Sequence, residues 1–285
     1  MRAVIGSICS TAGRWSDWTF DLWITAPLVA TALLHLAGTV SLWSRRGVGR
    51  GVSFRQARLF WMGWLTLAIA LVSPIHHYGE QLFTLHMIEH ELVMAVAAPL
   101  LVLSWPMAAF LWAWPRPIRL ATGRILRSRP VRSIWRGMSG PFSATVLHGI
   151  AIWAWHVPVL FDAALVDVPL HRLQHVSFLA TALLFWWALV RRSDRGAACG
   201  HMFFTMLHTG ALGALMAVAP RVIYGVQTAH AAAWGLTALQ DQQLAGLVMW
   251  IPAGTVYAAA AIVFAAQWVR RSSAAWAAGP MALED

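Results

Sequence analysis

The chain has 285 residues, of which 59% are hydrophobic and only 11% are charged. A soluble domain carries about 25% charged residues, so this chain has too few polar side chains to cover its own surface. Its formal net charge is +10, and its basic residues are all arginines. In a soluble protein such a charge would indicate nucleic-acid binding, but here the arginines separate long apolar runs. We therefore expect an integral membrane protein with no nucleic-acid partner.

Seven stretches are apolar enough to cross the hydrocarbon core, which takes about 20 residues as a helix. They predict transmembrane helices at residues 22–43, 59–74, 83–105, 141–158, 171–190, 198–219 and 242–269. The second and fourth are short, and the last is long enough to tilt or to extend past the interface. No repeat, low-complexity segment or long linker divides the chain. The expected fold is a single all-α, polytopic membrane domain over residues 1–285.

The arginines indicate how these helices are oriented. All but four of the 21 arginines fall in the segments 44–58, 113–140, 191–195 and 270–271, which lie on one side of a seven-span bundle. Loops that face the cytoplasm are enriched in Lys and Arg. The pattern therefore predicts an outer N-terminus and a cytoplasmic C-terminus in a bacterial cytoplasmic membrane.

Two histidine pairs share the spacing that brings side chains together on one helix face. His86 and His90 lie four residues apart near the outer end of the third predicted span, and His171 and His175 repeat that spacing at the same depth in the fifth. Residues four apart project from the same face of a helix. With His156 at the outer end of the fourth span, the pairs predict a site of four or five imidazoles beneath the outer surface.

The residues around the first pair fit such a site. Glu89 lies inside an apolar run, where a charge costs about 3 kcal/mol at the bilayer centre, so it needs a partner and can orient an imidazole. Met87 adds a thioether, which favours Cu(I), while imidazole suits Cu, Zn, Fe and Ni. A structural role for the pairs stays open from spacing alone. We interpret His76, His77 and His230 as polar groups at the headgroup level.

Three stretches resemble the integral-membrane CtaG family of assembly factors for caa-type cytochrome c oxidase. The segment 85–106, LHMIEHELVMAVAAPLLVLSWP, is similar to the family's HMxxH element. Residues 155–187, beginning WHVPVLFDAAL and continuing through HRLQH, resemble its WHxP, DAAL and HxxxH elements in the same order. The segment 241–254, DQQLAGLVMWIPAG, resembles its DQxxAGxxMW element.

The resemblance implies a seven-helix, non-enzymatic factor for oxidase maturation with a role in copper delivery. Its expected partners are the catalytic subunit of the oxidase and other copper chaperones. Matching the motifs residue by residue adds a position in the last helix, so the expected metal-site residues are His86, Met87, Glu89, His90, His156, His171, His175 and Asp241. The expected cargo is copper, as Cu(I).

Two other functions remain open from the residues themselves. Histidine pairs on facing helices are also typical of haem-binding membrane proteins, although two imidazoles on one helix face would crowd a single iron. A metal or proton transporter would need polar groups continuing through the membrane, for which only His35, His148 and His208 are available. Soluble hydrolase and nucleotide-binding motifs such as HExxH, GxSxG and the Walker loop are missing from the sequence.

Overall fold

This computed structural model describes residues 17–277, which are mostly helical and contain no strand. Side chains are described as far as residue 273. The α-helices are α1 (Leu22–Arg46), α2 (Phe54–Val72), α3 (Pro74–Gly79), α4 (Phe83–Ser104), α5 (Met107–Trp112), α6 (Arg116–Arg127), α7 (Arg129–Met138), α8 (Pro141–Trp155), α9 (Pro158–Val166), α10 (Val168–Arg191), α11 (Arg195–Ala217) and α12 (Ala238–Ala277). Each of the seven predicted segments overlaps one long helix, so the all-α prediction is confirmed.

Capping side chains determine where several of these helices begin. Asp21 and Asp167 accept hydrogen bonds from backbone N–H groups in the first turns of α1 and α10. Ser53 and Gln56 form a reciprocal capping box at the start of α2. Such caps satisfy N–H groups that have no partner within the helix. As a result, α2 and α10 begin earlier than their apolar runs predicted.

The helix α4 is interrupted by a wider turn. It is α-helical over Phe83–Glu91, π-helical over Leu92–Ala97 and α-helical again over Ala98–Ser104. Pro99 lies just beyond the wide turn and has no N–H to donate to the preceding turn, which favours a local change in hydrogen bonding. Short π turns are frequent at functional sites, and this one directly follows the His86–His90 pair.

Four helical stretches are long and apolar enough to cross a membrane: Leu22–Arg46, Phe83–Ser104, Val168–Arg191 and Ala238–Ser273. The helices α8 and α9 meet the same criterion together, but they are bent by 74° at residues 156–157. This bend follows from Pro158, which disfavours helical geometry in the residue before it. By length and composition, the described residues thus give four or five candidate spans, and α2 and α11 fall below that criterion.

The helix α4 lies at the centre of the bundle and packs against α2, α3, α10 and α12. The most extensive contact joins α11 to α12, where Gly213 and Gly246 face each other. A Cβ on Gly213 would lie 2.8 Å from the Gly246 carbonyl oxygen and 2.8 Å from the Trp250 nitrogen. Small residues allow helix backbones to approach closely in membranes, and these two glycines set that approach.

Alanine at Gly213 is expected to lower the free energy of unfolding by about 1–3 kcal/mol, because the added methyl forces apart two helix backbones that cannot yield. Thermal unfolding of the purified chain measures the effect. Gly254→Ala is the matched control, since Gly254 lies on the partner helix α12 and a Cβ there meets nothing within 4 Å. A Gly213→Ala protein as stable as the Gly254→Ala protein would contradict the close crossing.

Candidate metal centre

Three helices bring five imidazole rings together. α3 carries His76, α4 carries His86 and His90, and α10 carries His171 and His175. The ring centroid of His76 lies 5.7 Å from that of His171 and 5.7 Å from that of His175. The centroids of His90 and His175 are 5.2 Å apart. These five residues are called the histidine cluster below; in it the two i, i+4 pairs lie opposite each other.

A buried carboxylate joins two members of the cluster. Glu89 is 1% exposed, and its Oε1 lies 2.8 Å from His76 Nδ1 and 3.6 Å from His175 Nε2. The first contact is a hydrogen bond, because an N–H on His76 Nδ1 can donate to the carboxylate. A charged carboxylate in so apolar a place needs a partner. Glu89 therefore fixes the orientation of the His76 ring.

His171 and His175 stack on each other with their Nε2 atoms 2.7 Å apart. One ligand atom from each of His76, His171 and His175 lies within 4.8 Å of the others. Metal–nitrogen bonds of about 2.0–2.1 Å place two nitrogens on one ion at most about 4.2 Å apart. Small side-chain rotations suffice to bring three nitrogens of this group onto one ion.

The other pair has buried nitrogens without a protein partner. His86 and His90 are 1% and 2% exposed, and their ring centroids lie 4.2 Å apart. Within the described part of the chain, neither ring nitrogen of either residue makes a hydrogen bond, and His175 Nδ1 has none. A buried polar group left unpaired costs about 1–3 kcal/mol. These unpartnered nitrogens fit a bound metal ion, which can accept lone pairs from several imidazoles, better than they fit a purely structural core.

His156 lies at the edge of the cluster. Its Nδ1 donates to the carbonyl of Ile152 at 2.7 Å, which leaves Nε2 as the free lone pair, buried and without a partner among the described residues. Its ring lies against Phe161 and Phe178, which also contact His86 and His90. The phenyl rings of Phe161 and Phe178 therefore contact both His156 and the α4 pair.

Asp241, predicted as a site residue, caps α4. Its Oδ2 accepts from the Phe83 N–H at 2.8 Å, and its Oδ1 accepts from the Thr84 N–H at 2.9 Å and from the Thr84 hydroxyl at 2.7 Å. The residue is completely buried. Because both carboxylate oxygens are occupied one turn before His86, Asp241 holds the start of the helix that carries the pair. Met87 is also buried, within the main hydrophobic core.

The segment 218–237 is hydrogen-bonded to residues that neighbour the cluster. Gln227 donates to the carbonyl of Gly79 at 2.7 Å, and the Tyr224 hydroxyl donates to the carbonyl of His156 at 2.7 Å. Burial raises the pKa of Tyr224 to about 12, so this hydroxyl keeps its proton. Gln242, next to the Asp241 cap, accepts from the backbone N–H of Ile223 at 2.6 Å. Asp241 and Gln242 thus position both α4 and the segment 218–237.

A cavity of about 530 Å³ adjoins the cluster between α1 and α10. His76, His171 and His175 form one end of its wall, and the rest is mainly apolar. Asp21 and Arg172 form an ion pair at 2.7 Å on its lining, next to His171. The cavity provides an approach to the cluster from beside the bundle, with an ion pair at its polar end.

His76 is the cluster member that sequence reasoning assigned to the headgroup region. The only signal for it was depth, since it ends the second predicted span on the same side as His86. Its neighbour His77 turns away and lies 3.4 Å from Gln81, while His230 is exposed. Depth in the membrane does not distinguish His76 from His77 and His230. The turn between α3 and α4, which brings His76 to the cluster, does.

The fold and the cluster define this chain as an all-helical membrane protein with a buried, histidine-rich centre. Its sequence matches the family model of the cytochrome c oxidase caa3 assembly factor (Caa3_CtaG) over residues 33–271. The chain therefore belongs to that family, as its three motifs predicted. The matched range contains the whole histidine cluster.

Similar proteins occur in mycobacteria. An uncharacterized protein of Mycobacterium bovis and one of Mycobacterium tuberculosis are each 29% identical to the chain over 272 residues, and one of Mycobacterium leprae is 26% identical over 273. Each match covers 89% of this chain but 40% of the relative. The chain thus spans well under half the length of these relatives. No solved structure matches the chain.

Proposed function

We propose that this chain is a cytochrome c oxidase assembly factor that binds copper, as Cu(I), at the histidine cluster and passes it to the catalytic subunit of the oxidase. Copper is the cargo, received from another copper chaperone, and the chain is not an enzyme. Membership of the caa3 assembly factor family supports the role in assembly. The chemistry of the cluster supports copper as the cargo.

The observation that carries the proposal is the set of buried, unpartnered imidazole nitrogens on His86, His90 and His175. Imidazole suits copper, and a thioether such as that of Met87 favours the Cu(I) state. Five rings offer more nitrogens than one Cu(I) needs. Such a surplus permits stepwise exchange of ligands, which a delivery site requires and a permanent cofactor site does not.

Glu89 acts on the metal through His76 in this proposal. A carboxylate that accepts the second N–H of a ligating histidine fixes its tautomer and increases its basicity. Here the Glu89 carboxylate lies 2.8 Å from His76 Nδ1, which leaves His76 Nε2 available. The negative charge also offsets the charge of a cation held where water is excluded.

We propose seven spans, with the N-terminus outside and the C-terminus in the cytoplasm of a bacterial inner membrane. The helices α2 and α11 supply the two additional spans, since they contain 19 and 23 residues and a span needs about 17–25. Arg55 and Arg58 in the first turns of α2, and His201 and His208 within α11, lower the mean hydropathy of these helices, and the arginine segregation supports counting them. The cluster then lies near the outer face, where copper delivered from outside the cytoplasm is accessible.

Purified full-length protein in detergent is expected to bind about one Cu(I) per chain when the cluster holds one shared ion. The measurement is titration with Cu(I) against a chromophoric competitor, followed by elemental analysis and an optical spectrum. A colourless preparation with stoichiometric copper supports the proposal. A Soret band from native membranes would support the haem alternative instead, and a protein that takes up no Cu(I) would refute copper binding.

A further inference from the structure

The helices α6 and α7 form a basic pair that is too short to cross a membrane. They have 12 and 10 residues, whereas a span needs about 17–25. None of their residues is buried. Packing against the rest of the described chain therefore leaves much of their apolar surface exposed, as at Ile134.

The helix α7 separates charge from apolar surface. Arg129, Arg132 and Arg136 follow one another at intervals of three and four residues, so they share one face. Ile134 and Trp135 are 64% and 45% exposed and lie on the opposite side. A short helix with arginines on one face and large apolar side chains on the other is suited to lie flat at a membrane interface.

The charge of this pair has no carboxylate partner within residues 17–273. Seven arginines lie in residues 116–136, and the sequence has no Asp or Glu from residue 92 to residue 161. None of the seven forms an ion pair with any carboxylate in the described residues. The guanidinium carbon of Arg119 lies 3.9 Å from the centroid of Trp112.

The pair is nevertheless held in place at the end of α10. Trp135 packs edge-on against Trp187 with centroids 4.9 Å apart. Arg192, just after α10, donates to the carbonyl of Arg136 at 3.1 Å and to the hydroxyl of Ser139 at 2.7 Å. Because α10 is a candidate span that ends at Arg191, these contacts fix α7 at the level where that span leaves the membrane.

We propose that α6 and α7 bind the headgroups of anionic phospholipids, with the α7 arginines on the phosphates and Ile134 and Trp135 among the upper acyl chains. Guanidinium groups bind phosphate oxygens in bidentate fashion, and basic residues beside a membrane are attracted to anionic lipid. The pair thus fixes the lipid surroundings of the bundle end opposite to the histidine cluster. This surface does not depend on copper binding.

The test compares full-length protein in nanodiscs of pure phosphatidylcholine with nanodiscs that contain 30% phosphatidylglycerol. Native mass spectrometry counts the retained anionic lipids, and competition gives their relative affinity. The triple variant R129Q/R132Q/R136Q is expected to lose about fivefold in affinity for phosphatidylglycerol for each arginine removed. R129K/R132K/R136K keeps the charge and should retain most of it.

The matched control is R50Q/R55Q/R58Q, which removes the same charge from just before α2 and from its first turns. Its affinity for phosphatidylglycerol should fall much less than that of R129Q/R132Q/R136Q, because the proposed site is on α6 and α7. An equal loss in both triple variants would overturn the proposal, since net charge alone would then explain binding. Soluble polyglutamate that binds to the α7 arginines more tightly than phosphatidylglycerol would also overturn it, in favour of an acidic protein partner.

Discussion

Replacing both His86 and His90 with alanine is expected to lower the affinity for Cu(I) more than about 100-fold. Removal of a group that only orients a metal ligand typically costs 10–100-fold, and this variant removes two residues proposed as direct ligands. Both rings are buried, and their nitrogens make no hydrogen bond among the described residues. The substitutions therefore break no hydrogen bond of the protein, and the lower affinity would come from the loss of the imidazoles themselves. Competition with a chromophoric Cu(I) chelator measures the affinity.

The control for this variant is the pair His77→Ala and His230→Ala, which removes two imidazoles from the same end of the bundle but outside the cluster. Its affinity for Cu(I) should equal that of the unmodified protein. Thermal unfolding without metal must show that the His86→Ala/His90→Ala protein is folded. A folded double variant with unchanged affinity and stoichiometry would remove α4 from the copper site.

Glu89 is proposed to orient a metal ligand and not to bind the metal itself, and a milder substitution tests this. Glu89→Gln keeps a hydrogen-bond acceptor near His76 but removes the charge. It should lower the affinity about tenfold, within the range for groups that act through a ligand, and leave one copper per chain. The affinities of the His86→Ala/His90→Ala, His77→Ala/His230→Ala and Glu89→Gln proteins together distinguish copper bound by the cluster from copper bound elsewhere.

The positions of the long helices could be predicted because apolar length is written directly in the sequence. Segments 22–43 and 83–105 correspond closely to α1 and α4. The ends of the helices could not be read as well, since caps such as Asp167 and the break at Pro158 determine them. The helices α6 and α7 lie in the arginine-rich segment 113–140, which was predicted only as a connection between spans. They were not predicted because neither contains an apolar run long enough for a span.

The candidate site was predictable where local spacing determines geometry and unpredictable where the chain turns. His86 with His90 and His171 with His175 follow from the period of a helix. His76 reaches them because the short helix α3 turns back at Gly79, where a Cβ would lie 3.2 Å from Glu89 Oε2. Neither that turn nor the π-helical segment beginning at Leu92 has a periodic signature. Copper binding at these residues stays a prediction.

Asp241 illustrates how a motif residue can be recognised while its contacts are not. The DQ motif marks it as a candidate metal-site residue, yet nothing in the sequence pairs residue 241 with the backbone at Phe83 and Thr84. That contact joins residues far apart in the chain and depends on how α12 packs against α4. A carboxylate with both oxygens occupied by helix N–H groups is suited to position α4.

Alanine at Asp241 is expected to lower the free energy of unfolding by about 3 kcal/mol, because two buried N–H groups at the start of α4 lose a charged acceptor. The affinity for Cu(I) should fall with it, since α4 carries His86 and His90. Asp167→Ala is the control, because it removes an exposed cap at the start of α10 and should cost about 1 kcal/mol.

Asp241→Asn decides between positioning and ligation. Asparagine is also a good cap, so it should recover about half of the lost stability and restore one copper per chain if Asp241 acts only through α4. X-ray absorption of the copper-loaded variant should then show the same set of nitrogen scatterers as the unmodified protein. Loss of an oxygen scatterer in a variant of normal stability would instead make Asp241 a ligand, and the cap would be a secondary role of the same carboxylate.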